Sequence, residues 1–403
     1  MKRTEYIEAV NRLAFSHAKM AFITGPRQVG KTTLAKQLAD SHRGNSVYLN
    51  WDDPVFRRQW IKNPQDLLKL EIGKRGLAIL DEVHKAAKWK NTLKGLYDTQ
   101  KEHWDMVVTG SARLDIFRRG GDSLLGRYFS FRLHPLSLGE LLGEPHRLGD
   151  LEKAMESDLS DHSTIIERLM EFSGFPEPYL KKDRAFLNVW QRTRTERLVR
   201  EDLRDISRAH DFSMIESVAA LLPERIGSTL SLNSLREDLE ISHPTLKRWL
   251  GWLEQIFFLY QLRPYSKKLA RSLKKETKPY LWDWSQVESE GARFENLVAS
   301  HLLKACHYST DTGLANLDLL YLRDKEKREV DFCVLRDKKP WMLVECKQGE
   351  QALSPSLLYY GELLKPSISL QITQEKGIHQ KTKTKSKQAV YQISAGKFLS
   401  LFP

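Results

Sequence analysis

The chain has 403 residues, too many for one ordinary hydrophobic core, and its 41% hydrophobic, 10% aromatic and 29% charged residues are those of a folded protein rather than a disordered one. Its 64 Lys and Arg against 52 Asp and Glu leave a formal charge of +12, which favours a polyanionic partner, with a merely basic surface as the plain alternative. Cys306, Cys333 and Cys346 form no CxxC pair, and the most apolar run, Trp249 to Leu262, is broken by Glu254 and Gln255, so a disulfide framework, export and a membrane span are not expected and a cytoplasmic location is.

Residues 1–135 alternate short β-rich runs, MAFIT (20–24), SVYLN (46–50), LAIL (77–80) and MVVT (106–109), with polar or helical segments. This alternation predicts an α/β unit with a parallel sheet covered by helices. Residues 136–210 turn to helical periodicity, in LSLGELLGE, STIIERLMEFSG and NVWQRTRTERLVREDL, and read as a helical lid and linker.

Residues 211–266 read as a compact helical unit, in which 231–262 gives helix, turn, second helix and strand. Ser242 can cap the second helix and Pro244 fits its first turn. If that helix reads DNA, His243, Thr245, Lys247 and Arg248 are its exposed residues. Its Leu246, Trp249, Leu250, Trp252 and Leu253 support the other reading, a purely structural role. Residues 267–403 are mixed again, with a helix in ARFENLVASHLLK and strands in LDLLYLR, VDFCVL and WMLVECK. KTKTKSK (381–387) reads as a solvated loop, or as an extended strand with its lysines on one face.

The segment Gly25, Pro26, Arg27, Gln28, Val29, Gly30, Lys31, Thr32, Thr33 fits GxxxxGK[ST] and lies between a predicted strand and a predicted helix, the context that this phosphate-binding loop needs. Backbone N–H groups at the helix start would cradle phosphates, Lys31 would reach the β- and γ-phosphates, and Thr32 would ligate Mg²⁺. LAILDE then puts Asp81 and Glu82 at the C-terminal end of a strand, where ligands bind in a parallel sheet. Asp81 can hold Mg²⁺ through water and Glu82 can polarise an attacking water, which favours hydrolysis of ATP over transfer. TGSAR offers Ser111 as a sensor of the γ-phosphate, with plain turn chemistry as the alternative. Arg118, Arg119 and Arg127 are candidates for an arginine finger, acting within the chain or from a neighbouring copy in a homo-oligomer.

Taken together, GPRQVGKTTL, LDEVHKAAKW, TGSARLDIF, LLGRYFSFRLHPLSLGEL and GFPEPYL resemble, in order and over nearly the whole chain, the bacterial and archaeal AAA-type ATPases that carry a C-terminal domain of unknown function. The resemblance implies a P-loop ATPase core, a helical lid, a winged helix and a C-terminal α/β domain with a restriction-endonuclease-like fold.

The run EVDFCVLRDKKPWMLVECKQG reads as two strands around a DKKP turn. A hairpin centred on Lys338 would place Asp331 and Glu345 opposite each other, with Cβ atoms about 5 Å apart. Two like charges so placed call for a cation between them. Lys347 shares the face of Glu345 and could orient or deprotonate a metal-bound water, and Glu295, on the preceding helix, is in the right order to complete the set. Oxygen ligands without His or Cys select Mg²⁺ or Mn²⁺. The order Glu, Asp, Glu-x-Lys resembles restriction-endonuclease-like nucleases, which cut a phosphodiester with metal-activated water. The plain alternative is a salt-bridged hairpin in which Lys347 pairs with Glu329, and Cys333 and Cys346 read as small buried side chains.

The leading expectation is therefore an ATP-hydrolysing enzyme whose C-terminal domain binds nucleic acid, DNA first, with metal-dependent cleavage as a candidate second activity. Turnover at Lys31, Thr32, Asp81 and Glu82 would control access to Asp331, Glu345 and Lys347. The rival is a nucleotide-dependent regulatory or scaffold ATPase whose C-terminal domains only recognise DNA or protein. Charge-driven, non-specific nucleic-acid association is a third reading.

Overall fold

Three strands of the N-terminal sheet are buried at every position, the mark of parallel strands covered on both faces: β1 (Met20–Thr24), β3 (Gly76–Asp81) and β4 (Trp104–Gly110). The computed structural model describes residues 2–68, 75–110, 124–206, 211–266, 276–349, 351–384 and 388–403. These fall into two compact units, Met1–His134 and Pro135–Pro403.

In the first unit, helix α1 (Thr4–Ala9) precedes β1, and α2 (Lys31–Ser41) follows it, burying Leu34, Ala35 and Leu38. β2 (Ser46–Asn50) and α3 (Pro54–Lys62) come next; α3 is started by Asp53, whose side chain accepts from the Val55 amide, and by Pro54 in its first turn. After β3, α4 (Trp89–Gln100) leads into β4. The strand order is β2-β3-β4-β1-β5, all parallel, with Thr24 beside Gly110 and Asp81 beside Thr109. The C-terminal ends of β1, β3 and β4 therefore share one edge. Strand β5 (Tyr128–Arg132) is a fifth strand inside the stretch read from sequence only as a place for arginines. It is an edge strand with Phe131 alone fully buried, so it lacks the continuous apolar run that marks the others, although the Tyr128 ring stacks on Phe22 at 4.2 Å.

The second unit opens with α5 (Leu138–Leu142), α6 (Ser163–Phe172), α7 (Pro176–Lys181), α8 (Arg184–Arg197) and α9 (Phe212–Leu221). A helix pair follows, α10 (Leu232–Asp238) and α11 (His243–Gln255). Ser242 caps α11 by accepting from the Thr245 amide, and Pro244 sits in its first turn. Strand β6 (Leu259–Leu262) pairs antiparallel with β7 (Lys278–Leu281), a strand outside the predicted set because a long connection separates the two. Helix α12 (Glu290–Asp311) then lies against a six-stranded sheet made of β8 (Leu317–Arg323), β9 (Glu329–Arg336), β10 (Lys339–Lys347), β11 (Ile368–Thr373), β12 (His379–Lys383) and β13 (Ala389–Ser394), in the order β12-β13-β11-β10-β9-β8. Helix α13 (Pro355–Leu364) makes the crossover between the parallel strands β10 and β11. The loop expected for KTKTKSK is corrected in part: Lys381 to Lys383 belong to edge strand β12, with Lys381 paired to Glu156, and residues 385–387 lie outside the described residues. Lysines on an edge strand discourage pairing with another chain. Among the described residues no helix is long and apolar enough to cross a membrane.

The β9–β10 hairpin closes on Asp337 and Lys338, both at positive φ (52° and 66°), the two-residue turn whose twist matches that of the strands. A bulge between Pro340 and Met342 shifts the register by one residue, and the ladder ends with Val344 opposite Phe332. The next residues, Glu345 and Asp331, follow on facing positions.

A buried polar group ties α5 to α12. The Lys304 ammonium lies 2.6 Å from Glu140 and donates to Ser137 Oγ at 2.7 Å. His301 accepts the Leu138 amide at Nε2 (3.1 Å), and its Nδ1 lies 2.8 Å from the Leu297 carbonyl, which fixes the proton on Nδ1. Burial pushes the His301 pKa down from 6.5 to about 4. The unfolded chain therefore takes up this proton first as pH falls, and the contribution of neutral His301 is lost between about 6.5 and 4, worth about 3 kcal/mol. Urea midpoints taken from pH 7 to 4.5 should fall over that window, and less steeply in His301→Gln.

Candidate functional site

The loop between β1 and α2 is shaped by backbone that few residues adopt: φ is 149° at Gly25, 64° at Gln28 and 101° at Gly30. A Cβ on Gly25 would stand 2.2 Å from the Leu133 carbonyl oxygen, so only glycine lets the loop pass there. Gly30 is the N-cap of α2 and has no side chain to cap the helix, the kind of helix start whose backbone amides suit an anion. Lys31 is buried, and its ammonium donates to the carbonyls of Gly25 (3.0 Å) and Pro26 (2.7 Å), folded back across the loop.

A residue that sequence reasoning missed holds this loop. The guanidinium of buried Arg3 donates to Val29 O at 2.8 Å and to His134 O at 2.9 Å, and the Arg3 amide donates to Gln37 Oε1 on α2 at 3.1 Å. No motif announces it, because the contacts span up to 131 positions. Arg3→Met leaves two buried carbonyls short of a donor, at about 1–3 kcal/mol, and should weaken ATP binding about tenfold in equilibrium titrations.

At the shared edge of β1, β3 and β4, Asp81 gathers three hydroxyls. Its Oδ2 accepts from Thr32 Oγ1 at 3.0 Å and from the Tyr48 hydroxyl, and its Oδ1 accepts from Thr109 Oγ1. Burial and the charge of Asp81 push the Tyr48 hydroxyl pKa up, so it stays a donor. Tyr48 and Thr109 were not anticipated; Thr109 could have been found from its register opposite Asp81. Glu82 follows in the left-handed region (φ 60°), bent out of the strand with its amide on Thr109 O. Its carboxylate is 3.6 Å from His84 and 3.7 Å from Lys85, and about a quarter exposed. Strain of this kind in a non-glycine residue is concentrated at functional sites. Thr32 and Asp81, both hard oxygen donors at hydrogen-bond distance, fit the shell of one Mg²⁺.

Ser111, Arg118 and Arg119 lie outside the described residues. Arg127 sits at the opposite end of the sheet, where its carbonyl accepts the Met20 amide; the length of β1, about 13 Å, separates it from the loop. Its guanidinium forms a two-point pair with Asp98 (2.8 and 3.0 Å). Arg127 is thus not brought to the phosphate loop of its own chain.

In the second unit the carboxylates named from sequence do meet a cation, and it is a lysine. Lys278, 1% exposed at the side chain, lies 2.8 Å from Glu295, 2.8 Å from Glu329 and 3.0 Å from Asp331. The second oxygen of Asp331 accepts the Cys346 amide at 2.9 Å. Glu345 pairs with Lys347 at 3.0 Å through Oε1, while its buried Oε2 has no hydrogen-bond partner among the described residues. The Lys347–Glu329 pair does not form, since Glu329 is taken by Lys278 and by Arg323 at 2.9 Å. Burial and the charge of Asp331 push both Glu295 and Glu345 up to about 7. Burial works against the charge of the Lys278 ammonium, and the surrounding Asp331, Glu295 and Glu329 outweigh it and hold the group charged. Cys346, beside them, has its thiol pushed up by burial and by the same charges. A divalent cation needs the oxygens that Lys278 occupies, and among the described residues no group of three or more His, Cys, Asp or Glu is placed to hold one. The Mg²⁺ or Mn²⁺ expected at Glu295, Asp331 and Glu345 does not fit this arrangement.

On α11, His243, Lys247 and Arg248 are exposed and Thr245 half-buried, while Leu246, Trp249, Leu250 and Leu253 are buried. The Arg248 guanidinium lies over the Trp252 ring at 5.3 Å.

Comparison with known proteins follows the division into two units. Residues 17–142 match the family described as AAA domain. Residues 163–288 and 290–395 match two families described as domains of unknown function, DUF8612 and DUF4143. An uncharacterized protein of Haemophilus influenzae is 25% identical over 346 residues, covering 77% of this chain and 78% of the relative. An uncharacterized protein of Methanocaldococcus jannaschii is 23% identical over 399 residues, covering 89% and 81%. Among solved structures, the RuvB Holliday junction branch migration motor of Thermotoga maritima is 20% identical, with a TM-score of 0.32, over 68% of this chain and 95% of that one. The parallel sheet, the phosphate loop and the N-terminal family match agree on a P-loop core of AAA type, for which nucleotide binding and hydrolysis is the general activity. The C-terminal matches attach no activity to the second unit.

Proposed function

We propose that this chain is a Mg²⁺-dependent, cytoplasmic ATPase of AAA type whose second unit, a helical lid (136–210), a winged helix (211–266) and a C-terminal domain of restriction-endonuclease-like topology (267–403), binds nucleic acid, DNA first. The observation that carries the first half is the hydrogen bond between Thr32 and Asp81 at the mouth of a glycine-shaped loop, one residue from a strained Glu82.

The α2 amides and Lys31 bind the phosphates, Lys31 exchanging its two loop carbonyls for phosphate oxygens. Thr32 and, through water, Asp81 would hold a Mg²⁺ ion, which would supply neutralisation of the phosphate charge. Thr109 and Tyr48 orient Asp81 by donating to its two oxygens. Glu82 accepts the proton of the water that attacks the γ-phosphate, and the β–γ bond breaks to give ADP and phosphate. Ser111 is the proposed sensor of that bond. An arginine from a neighbouring copy, Arg127 among the candidates, completes the site in a homo-oligomer.

For the second unit the charge of +12 and the exposed His243, Lys247 and Arg248 support binding of a polyanion. Lys278 among the carboxylates favours the rival reading over cleavage: a nucleotide-dependent regulatory or scaffold ATPase whose C-terminal domains only bind DNA or protein partners. The test is purified full-length protein with single- and double-stranded DNA and RNA at two salt concentrations, with ATP turnover followed alongside. Phosphate release lost in Lys31→Ala, and nucleic-acid affinity reduced in Lys247→Ala/Arg248→Ala, are the expected results. Absence of Mg²⁺-dependent ATP binding overturns the first half. Affinity that falls steeply with salt and ignores both the double substitution and strand form overturns the second, leaving charge alone.

A further inference from the structure

The cation in the C-terminal carboxylate cluster belongs to the fold. Lys278 is the first residue of β7, and β7 is fixed beside α12 by Asn296, fully buried, whose side-chain amide bonds both the N–H and the C=O of Leu281 at 2.9 Å. Tyr280, two residues on and so on the same face, donates to the Glu295 oxygen that Lys278 also meets. An ammonium has three donors, and here three carboxylates each present an oxygen to it at 2.8–3.0 Å. A divalent ion would draw those oxygens to about 2.0–2.6 Å, leaving no room for the ammonium at the same point.

What remains looks like the rest of a metal site. Asp331 and Glu345 stand on facing positions of the hairpin, and Glu345 keeps one buried oxygen with no hydrogen-bond partner among the described residues, although its side chain is 9% exposed. A buried carboxylate oxygen of this kind is costly unless a cation or donor has somewhere to bind.

We propose that Lys278 stands in for a divalent cation, so that the C-terminal domain keeps a carboxylate cluster but fills it with a side chain and excludes Mg²⁺ and Mn²⁺ until that side chain is removed. A lysine so fixed neutralises the acids at every metal concentration, and the domain is left as a binding module whose fold needs no ion. This inference is independent of the nucleotide reading.

The test uses the full chain without nucleotide in an Asp81→Asn background, so that the N-terminal site contributes no metal ligation, with bound Mn²⁺ followed by the electron paramagnetic resonance of the free ion. Asp81→Asn alone should show no saturable site tighter than about 1 mM. Adding Lys278→Met should create one Mn²⁺ site per chain, at least about tenfold tighter, abolished by Glu345→Gln. The Lys278→Met protein should melt at a lower temperature without metal and recover with Mn²⁺, while its parent is indifferent. The proposal is overturned if the parent already binds one Mn²⁺ that Glu345→Gln removes, or if folded Lys278→Met binds none. The parent and its Glu345→Gln partner decide the matter even where Lys278→Met does not fold.

Discussion

Replacing Glu82 by glutamine is expected to slow ATP hydrolysis by about 10²- to 10⁴-fold while leaving ATP affinity nearly unchanged. Glutamine keeps the size and polarity of the side chain and removes only its capacity to accept a proton. The backbone cost of φ 60° is borne by either residue, so the fold should not respond. Phosphate release and equilibrium nucleotide binding, measured on one preparation, separate the roles. Lys31→Ala should lose both, because the cradle loses its cation, whereas Glu82→Gln should lose only turnover. Equal loss of binding in the two variants would assign Glu82 to the architecture of the loop rather than to the chemistry.

Lys304→Met is expected to destabilise the second unit by about 3–5 kcal/mol, because it leaves Glu140 charged, or forces it to protonate, with both side chains almost wholly inside. Methionine fills nearly the same volume, so the loss is electrostatic rather than a cavity. Adding Glu140→Leu should recover most of that loss, since an apolar pair of similar volume replaces a buried ion pair at little cost. Denaturant unfolding of the three variants in a double-mutant cycle gives the coupling. A double variant no better than the single one would mean that the packing of α5, not the charge, is what Lys304 supplies.

Sequence patterns reach as far as interactions that are local or periodic. β1, β3 and β4 are legible because their residues are apolar on both faces, and the phosphate loop because its residue types and spacing are contiguous. β5 is hidden by its edge position, and β7 by the distance in sequence to its partner. Arg3, Tyr48 and Thr109 are side chains whose importance lies in which carbonyl or carboxylate they meet across the fold, and periodicity carries none of that. The carboxylate cluster divides the same way. The facing of Asp331 and Glu345 follows from strand periodicity, with the bulge compensating for a turn centred between Asp337 and Lys338 rather than on Lys338. Its cation is Lys278, 17 residues before Glu295 and 53 before Asp331, and no local pattern links them.

The single extra residue near Trp341 also sets how far this hairpin can drift in length. Its loss would leave Pro340 and Met342 as neighbours opposite Leu335 and Val334, so the ladder beyond them, and Glu345 facing Asp331, would keep their register. A one-codon deletion at the bulge should therefore be absorbed with the cluster intact, whereas one between Met342 and Val344 would slide the strand beyond it by one position, turn Glu345 and Lys347 onto the other face and present Cys346 in their place, with every acidic residue still encoded.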